Sequence, residues 1–160
     1  MQDLGILLID MQEKFIFGFN PFVDEKEKSR LVEAQIRFLE VTKKKQIPVV
    51  VLEYKNRGKT IQKIQDALEG TENYSLEKSS PNGFVNPELN SLLKEKGIRR
   101  LILTGIYSDD CVLRTAEGAK KDFEIFTCKE LMNLPYESSV RWYQTNTNYS
   151  KTIGELFTKI

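Results

Sequence analysis

The stretch Gly105-Ile106-Tyr107-Ser108-Asp109-Asp110-Cys111-Val112-Leu113-Arg114-Thr115-Ala116 carries an apolar run into a helical pattern around one cysteine. Ahead of it, Leu101, Ile102, Leu103 and Ile106 read as a parallel strand buried on both faces. Behind it, Val112, Ala116 and Ala119 recur at helical spacing. Ser108, Asp109 and Asp110 are residue types that accept hydrogen bonds from the free N–H groups of a first helical turn, so the helix is expected to begin at or just before Cys111. A thiol at the positive end of a helix is favoured as thiolate by unpaired N–H groups and aligned peptide dipoles. A lone cysteine usually behaves as a small buried hydrophobe, and position alone does not make it a nucleophile.

Upstream, Leu4 to Ile9 reads as a first strand ending at Asp10-Met11-Gln12, polar where a parallel strand would emerge at the sheet's carboxyl edge. Phe15 to Val23, with Gly18 and Asn20-Pro21, reads as a loop. From Asp24 to Lys45, Leu31, Ala34, Phe38 and Val41 give an amphipathic helix, and Ile47 to Leu52 a second strand, completing a right-handed β-α-β unit. Ile61, Ile64 and Leu68 form a short helix that Gly70 ends, and Tyr74 to Lys78 a third strand. Asn86-Pro87 caps and opens a helix that stops at Gly97. Arg100 to Gly105 is the fourth strand and Phe123 to Thr127 the fifth. Asn133 to Gln144 reads as helix and Asn148 to Lys151 as a short sixth strand. Thr152-Ile153-Gly154-Glu155 matches the box that opens a last helix. Strands alternating with helices mean an α/β fold, a three-layer α/β/α sandwich about a mainly parallel sheet.

Composition narrows the chemistry. The chain has 160 residues, read as a single domain over 1–160, and 24 basic against 23 acidic residues give a net charge of +1 without long runs of either sign. Neither a nucleic-acid nor a membrane partner is suggested, and Leu4 to Ile9 is too short to span a bilayer, so a cytoplasmic protein is expected. The two cysteines make no disulfide framework, and Cys128 reads as a small buried residue. There is no histidine, so acid–base work falls to a carboxylate, a lysine, a tyrosine or a thiol, and histidine-containing zinc sites are ruled out.

In an open parallel sheet, ligands bind beyond the carboxyl ends of the strands where strand order reverses. Asp10, Lys78 and Cys111 all fall at such ends. Asp10 could take the thiol proton, Lys78 hold the charges together, and Cys111 attack an electrophilic carbon. Taken singly, Asp10 is also a turn residue and Lys78 also a surface lysine.

Three blocks in order, Leu7-Leu8-Ile9-Asp10-Met11-Gln12 with Phe15, Lys78 with Phe84 six positions on, and Gly105 to Ala116, resemble the isochorismatase-like cysteine hydrolases. The resemblance implies a sheet of order 3-2-1-4-5-6, reversing between Asp10 and Cys111, and an Asp10-Lys78-Cys111 triad. It implies an oxyanion hole from the N–H groups of Tyr107 and Cys111, and a cis peptide between Ile106 and Tyr107. Gln12, Phe15, Phe84 and Tyr107 are the expected substrate contacts. No cofactor is implied, a small molecule is the expected partner, and a homo-oligomer is allowed. Nicotinamidases of this superfamily hold a metal through histidines after the second strand, where Glu53, Tyr54 and Lys55 stand here. The expected activity is hydrolysis of a small amide, ureido or related C–N substrate through a thioester. Three alternatives stay open: vinyl-ether hydrolysis with Asp10 as proton donor, a silent small-molecule-binding or redox-sensing module, and a purely structural protein.

Overall fold

The computed structural model describes residues 3–160. Six parallel strands form one sheet in the order β3-β2-β1-β4-β5-β6: β1 Leu4–Ile9, β2 Val49–Tyr54, β3 Asn73–Lys78, β4 Arg100–Gly105, β5 Glu124–Met132 and β6 Asn148–Ser150. Seven helices flank it: α1 Glu13–Ile16, α2 Glu25–Lys44, α3 Gln62–Leu68, α4 Pro87–Glu95, α5 Cys111–Ala119, α6 Glu137–Asn146 and α7 Ile153–Lys159. β1 is apolar throughout and wholly buried because strands pair on both its edges and helices cover both its faces. Its alternating side chains feed two cores. Ile6 and Leu8 join Val49, Val51, Phe38, Ile64 and Leu156 on one face. Leu7 and Ile9 join Val50, Leu52, Leu93, Leu103 and Val112 on the other.

Caps place the helices. The Asp24 side chain accepts from Glu27 N, Asn86 from Glu88 N ahead of Pro87, and Thr152 from Glu155 N. Gly97 leaves α4 with φ of 68°, a conformation open to glycine without penalty. Along α2 the buried face runs through Leu31, Gln35, Phe38, Leu39 and Thr42, which leaves Val41 at its margin.

Several boundaries differ from the sequence reading. The segment read as loop from Phe15 begins inside α1, a single turn docked by buried Ile16; one turn is too short for periodicity to reveal. β2 starts after Pro48, which has no N–H for the ladder, and runs on to Glu53 and Tyr54, paired with Glu77 and Lys78. β5 continues to Met132 across a register shift opposite Leu103 and Gly105. α6 starts at Glu137 because Pro135 disfavours helical backbone at Leu134. Asp110 holds the N-cap position of α5 with φ −139° and ψ −90°, and its side chain makes no capping bond. No helix among the described residues is long and apolar enough to cross a membrane.

Candidate active site

β1 and β4 pair in register to their ends, Ile9 opposite Gly105, so the residues that follow each strand emerge together at the point where strand order reverses. Gly105 permits this approach: a Cβ there would stand 2.0 Å from the Ile9 carbonyl oxygen, and its φ is 132°. Asp10 leaves β1 with φ of 55°, an uncommon conformation that aspartate tolerates better than most residues, and its N–H is held by the Leu52 carbonyl at 3.0 Å. Ile106 and Tyr107 are joined by a cis peptide.

Lys78, the last residue of β3, reaches across β2 to Asp10. Its Nζ lies 2.9 Å from Asp10 Oδ2, donates to the Ser80 carbonyl at 3.2 Å, and sits 4.3 Å above the Tyr54 ring. The Lys78 and Asp10 side chains are 1 % and 0 % exposed. Apart from this ion pair, the Asp10 oxygens accept no protein hydrogen bond among the described residues.

Cys111, 3 % exposed, opens α5 beside this pair. The carboxyl of Asp110 also approaches the sulfur, Oδ2 to Sγ 3.9 Å. Burial, then the Asp10 charge, push the Cys111 thiol up to about 12, against the pull of Lys78. Burial and two neighbouring carboxylates thus oppose the thiolate that the helix end favours. Burial likewise pushes Asp10 above the ordinary carboxyl range, Lys78 draws it back, and Asp110 adds to the rise. A protonated thiol thus faces a carboxylate of unusual basicity. The Tyr107 carbonyl accepts from Asp110 N at 3.2 Å and Val112 N at 2.9 Å, while the N–H groups of Tyr107 and Cys111 donate to no backbone carbonyl among the described residues.

Contacts that the sequence reading did not foresee hold this turn. Ser108 N donates to Asn133 Oδ1 at 2.6 Å, and the hydroxyl of fully buried Tyr143 donates to the Ser108 carbonyl. Thr115 Oγ1 accepts from Gly83 N at 3.0 Å and donates to the Pro81 carbonyl at 3.2 Å, tying α5 to the segment after Lys78. None of these contacts has a local sequence pattern; each pair is 25 or more residues apart.

The expected substrate contacts divide. Gln12 is buried with its amide committed to the backbone, donating to the carbonyls of Tyr54 at 2.9 Å and Gly58 at 2.7 Å and accepting from Tyr54 N at 2.6 Å. It holds the end of β2 against β1 and has no donor left for a ligand. Phe84 packs on Phe123, ring centroids 5.6 Å apart. Phe15 meets Tyr107 edge to face at 5.5 Å. Tyr107 alone of the four lines the main cavity, about 590 Å³, and its hydroxyl accepts from Asn20 Nδ2 at 2.6 Å. After β2, Glu53 accepts from Thr60 N and Oγ1, and Tyr54 lies under Lys78, so this set does not fit the histidine-held metal of nicotinamidases. Cys128 is fully buried, as expected.

Solved structures share this architecture. An N-carbamoylsarcosine amidase from Thermoplasma acidophilum superposes with a TM-score of 0.79 at 19 % identity, covering 92 % of this chain and 94 % of its own. A nicotinamidase from Staphylococcus aureus gives 0.76 at 18 %, covering 94 % and 100 %. An octameric hydrolase of unknown specificity from Escherichia coli gives 0.75 at 16 %, covering 97 % and 78 %. At these identities the likeness is one of fold. No curated protein matches the chain in sequence. The family model of the Isochorismatase domain matches residues 5–132, a span that holds Asp10, Lys78 and Cys111 together, and the chain belongs to that family of hydrolases.

Proposed function

We propose that this protein is a cysteine hydrolase of small amide or ureido substrates, working through Asp10, Lys78 and Cys111. The observation that carries the reading is the buried Asp10–Lys78 pair beside a thiol whose own N–H, with that of Tyr107, is left without a backbone acceptor. The substrate carbonyl oxygen lies against those two N–H groups. Asp10 takes the thiol proton as the sulfur attacks the carbonyl carbon, and the negative charge passes to the oxygen, where the two N–H groups stabilise it. Asp10 then returns the proton to the leaving nitrogen as the C–N bond breaks, giving an amine and a thioester on Cys111. Asp10 next takes a proton from water as the hydroxide attacks the thioester carbon, the C–S bond breaks, Asp10 returns the proton to the Cys111 sulfur, and the acid leaves. One water is consumed per bond cleaved. Lys78 keeps Asp10 in place and opposes the rise in its pKa that burial causes, which favours the carboxylate form.

A second reading has support in the burial of Asp10, which favours its protonated form and so a proton donor to a vinyl ether. Two variants separate the readings in assays on a panel of small amides and on isochorismate. Under the thioester mechanism Cys111→Ala abolishes turnover and Cys111→Ser leaves little, since an alkoxide forms far less readily without an imidazole base. An active Cys111→Ala variant with a dead Asp10→Asn variant supports protonation instead.

Self-association belongs to the same reading. Phe17, Phe19 and Phe22 are 73 %, 94 % and 80 % exposed on one short segment, more apolar surface than a lone chain needs to show water, and the E. coli neighbour is octameric.

A further inference from the structure

The cavity beside Tyr107 has an unbalanced charge. Its walls are Phe19, Phe22, Leu134 and Tyr136, with Asn20 beneath, and the only ionisable side chains of ordinary carboxyl or basic type that line it are Asp109 and Asp110. Among the described residues no ion pair reaches either carboxylate. Asp109 accepts from Tyr136 N at 3.2 Å, which fixes it in the wall. The neighbouring cations are engaged elsewhere: Arg114 pairs with Glu117 at 3.0 Å, Arg57 lies over the Phe15 ring, and Arg30 is clamped on Glu27.

The surroundings of the sulfur, which Asp110 joins to this cavity, point the same way. Asp10 and Asp110 both approach the Cys111 sulfur, and Lys78 is the single cation among them, already seated on Asp10. Asp10 is wholly buried and its one cation is Lys78, so the charges at the sulfur beside that pair are balanced, whereas the cavity, which meets the sulfur through Asp110, is lined among the described residues by carboxylates and no cation. An open aromatic cavity with carboxylates in its wall is the chemistry that accommodates an ammonium or guanidinium group, through ring quadrupoles and charge together.

From this arrangement we infer that the substrate carries a cationic group, ammonium or guanidinium, seated in the cavity against Asp110 and Asp109 while the scissile carbonyl lies at Cys111. The inference rests on the hydrolase reading for its reaction and adds the charge class of the substrate. Its consequence for mechanism is direct. A bound cation beside Asp110 cancels the like charge that opposes ionisation of the thiol, so the sulfur is easier to deprotonate when the right substrate is present than when the site is empty.

The test needs no known substrate. Cys111 is alkylated with 2-bromoethylammonium, iodoacetamide and iodoacetate at low ionic strength, each rate is divided by that of the same reagent with a neutral free thiol, and peptide mass mapping reads labelling at Cys111. Lys78 and the α5 N-terminus favour the anionic reagent, so the sign of the preference is not given in advance. The expected result is a normalised preference for the cation over the anion of about tenfold, the size of one exposed ion pair plus one cation–π contact. That preference should fall several-fold in Asp110→Asn and again in 0.5 M salt. A ratio of one or less, or a ratio that Asp110→Asn and Asp109→Asn both leave unchanged, overturns the inference. Amides paired as ω-ammonium and ω-hydroxyl analogues supply the separate check on turnover. Charge-selective labelling without hydrolysis of any amide sinks the hydrolase reading alone, and hydrolysis without charge preference in either assay sinks this inference alone.

Discussion

At Cys111 burial and two carboxylates push the thiol up, against Lys78 and the helix end. A thiol pushed up to about 12 binds its proton more tightly in the folded chain than in the unfolded one, where cysteine titrates near 8.5. The folded state therefore holds more protons between those values, and the stability this group contributes is lost as pH rises through about 9 to 12. Alkylation of the free protein should show the same displacement: the logarithm of the rate at Cys111 should climb with unit slope through pH 10, where an ordinary thiol has levelled off. A plateau near pH 8.5 would show that the helix end prevails. Lys78 offers a second measurement. Lys78→Ala leaves the wholly buried Asp10 without its cation, at a cost of about 3 kcal/mol when the carboxyl is charged. Asp10 escapes that cost by keeping its proton, so its folded pKa moves further above the unfolded one. The variant should match wild type in urea denaturation near pH 4 and fall progressively behind as pH rises to 8.

The turn that carries Cys111 is an element held from outside itself. Asn133, just past β5, and Tyr143 of α6 fix Ser108, in place of the capping side chains that Ser108, Asp109 and Asp110 offer in the sequence. Tyr143→Phe leaves the Ser108 carbonyl buried and unpaired, and should cost about 1–2 kcal/mol of stability with a larger loss in kcat than in KM. Equal kcat at reduced stability would make Tyr143 a core residue only. What the sequence made legible here follows from the range of the interactions. β1 and β4 announce themselves because a strand buried on both faces must be apolar throughout, and Asp10, Lys78 and Cys111 because each breaks such a run or closes a strand. The single turn of α1, the extension of β5 to Met132 and the role of Gln12 were hidden because each depends on partners far along the chain. The sixth strand, only three residues, could be read from the caps that follow it more than from its own side chains.

On the scale of the whole molecule the site straddles the sheet. Tyr107 and Phe15 pack with the core under α2 and α7, whereas Cys111 and Phe84 pack with the core under α4 and α5, so the reacting groups depend on both layers. Phe19 and Phe22 line the same cavity, Phe17 is exposed just before them, and Lys28 secures the segment by donating to the Gly18 carbonyl at 2.7 Å. Light scattering on the purified protein should give a mass that is a multiple of 18.5 kDa, and Phe17→Ser with Phe19→Ser should lower it toward the single chain. A monomer at micromolar concentration would count against self-association through these rings.

The covalent step is the centre of the account, and rapid acid quench during turnover of an active amide, followed by mass mapping of the peptides, tests it most directly. The thioester mechanism predicts an acyl adduct of the substrate's mass on the peptide holding Cys111, none on that holding Cys128, and no adduct in Asp10→Asn. Sustained hydrolysis with an unmodified Cys111, persisting in Cys111→Ala, would contradict it.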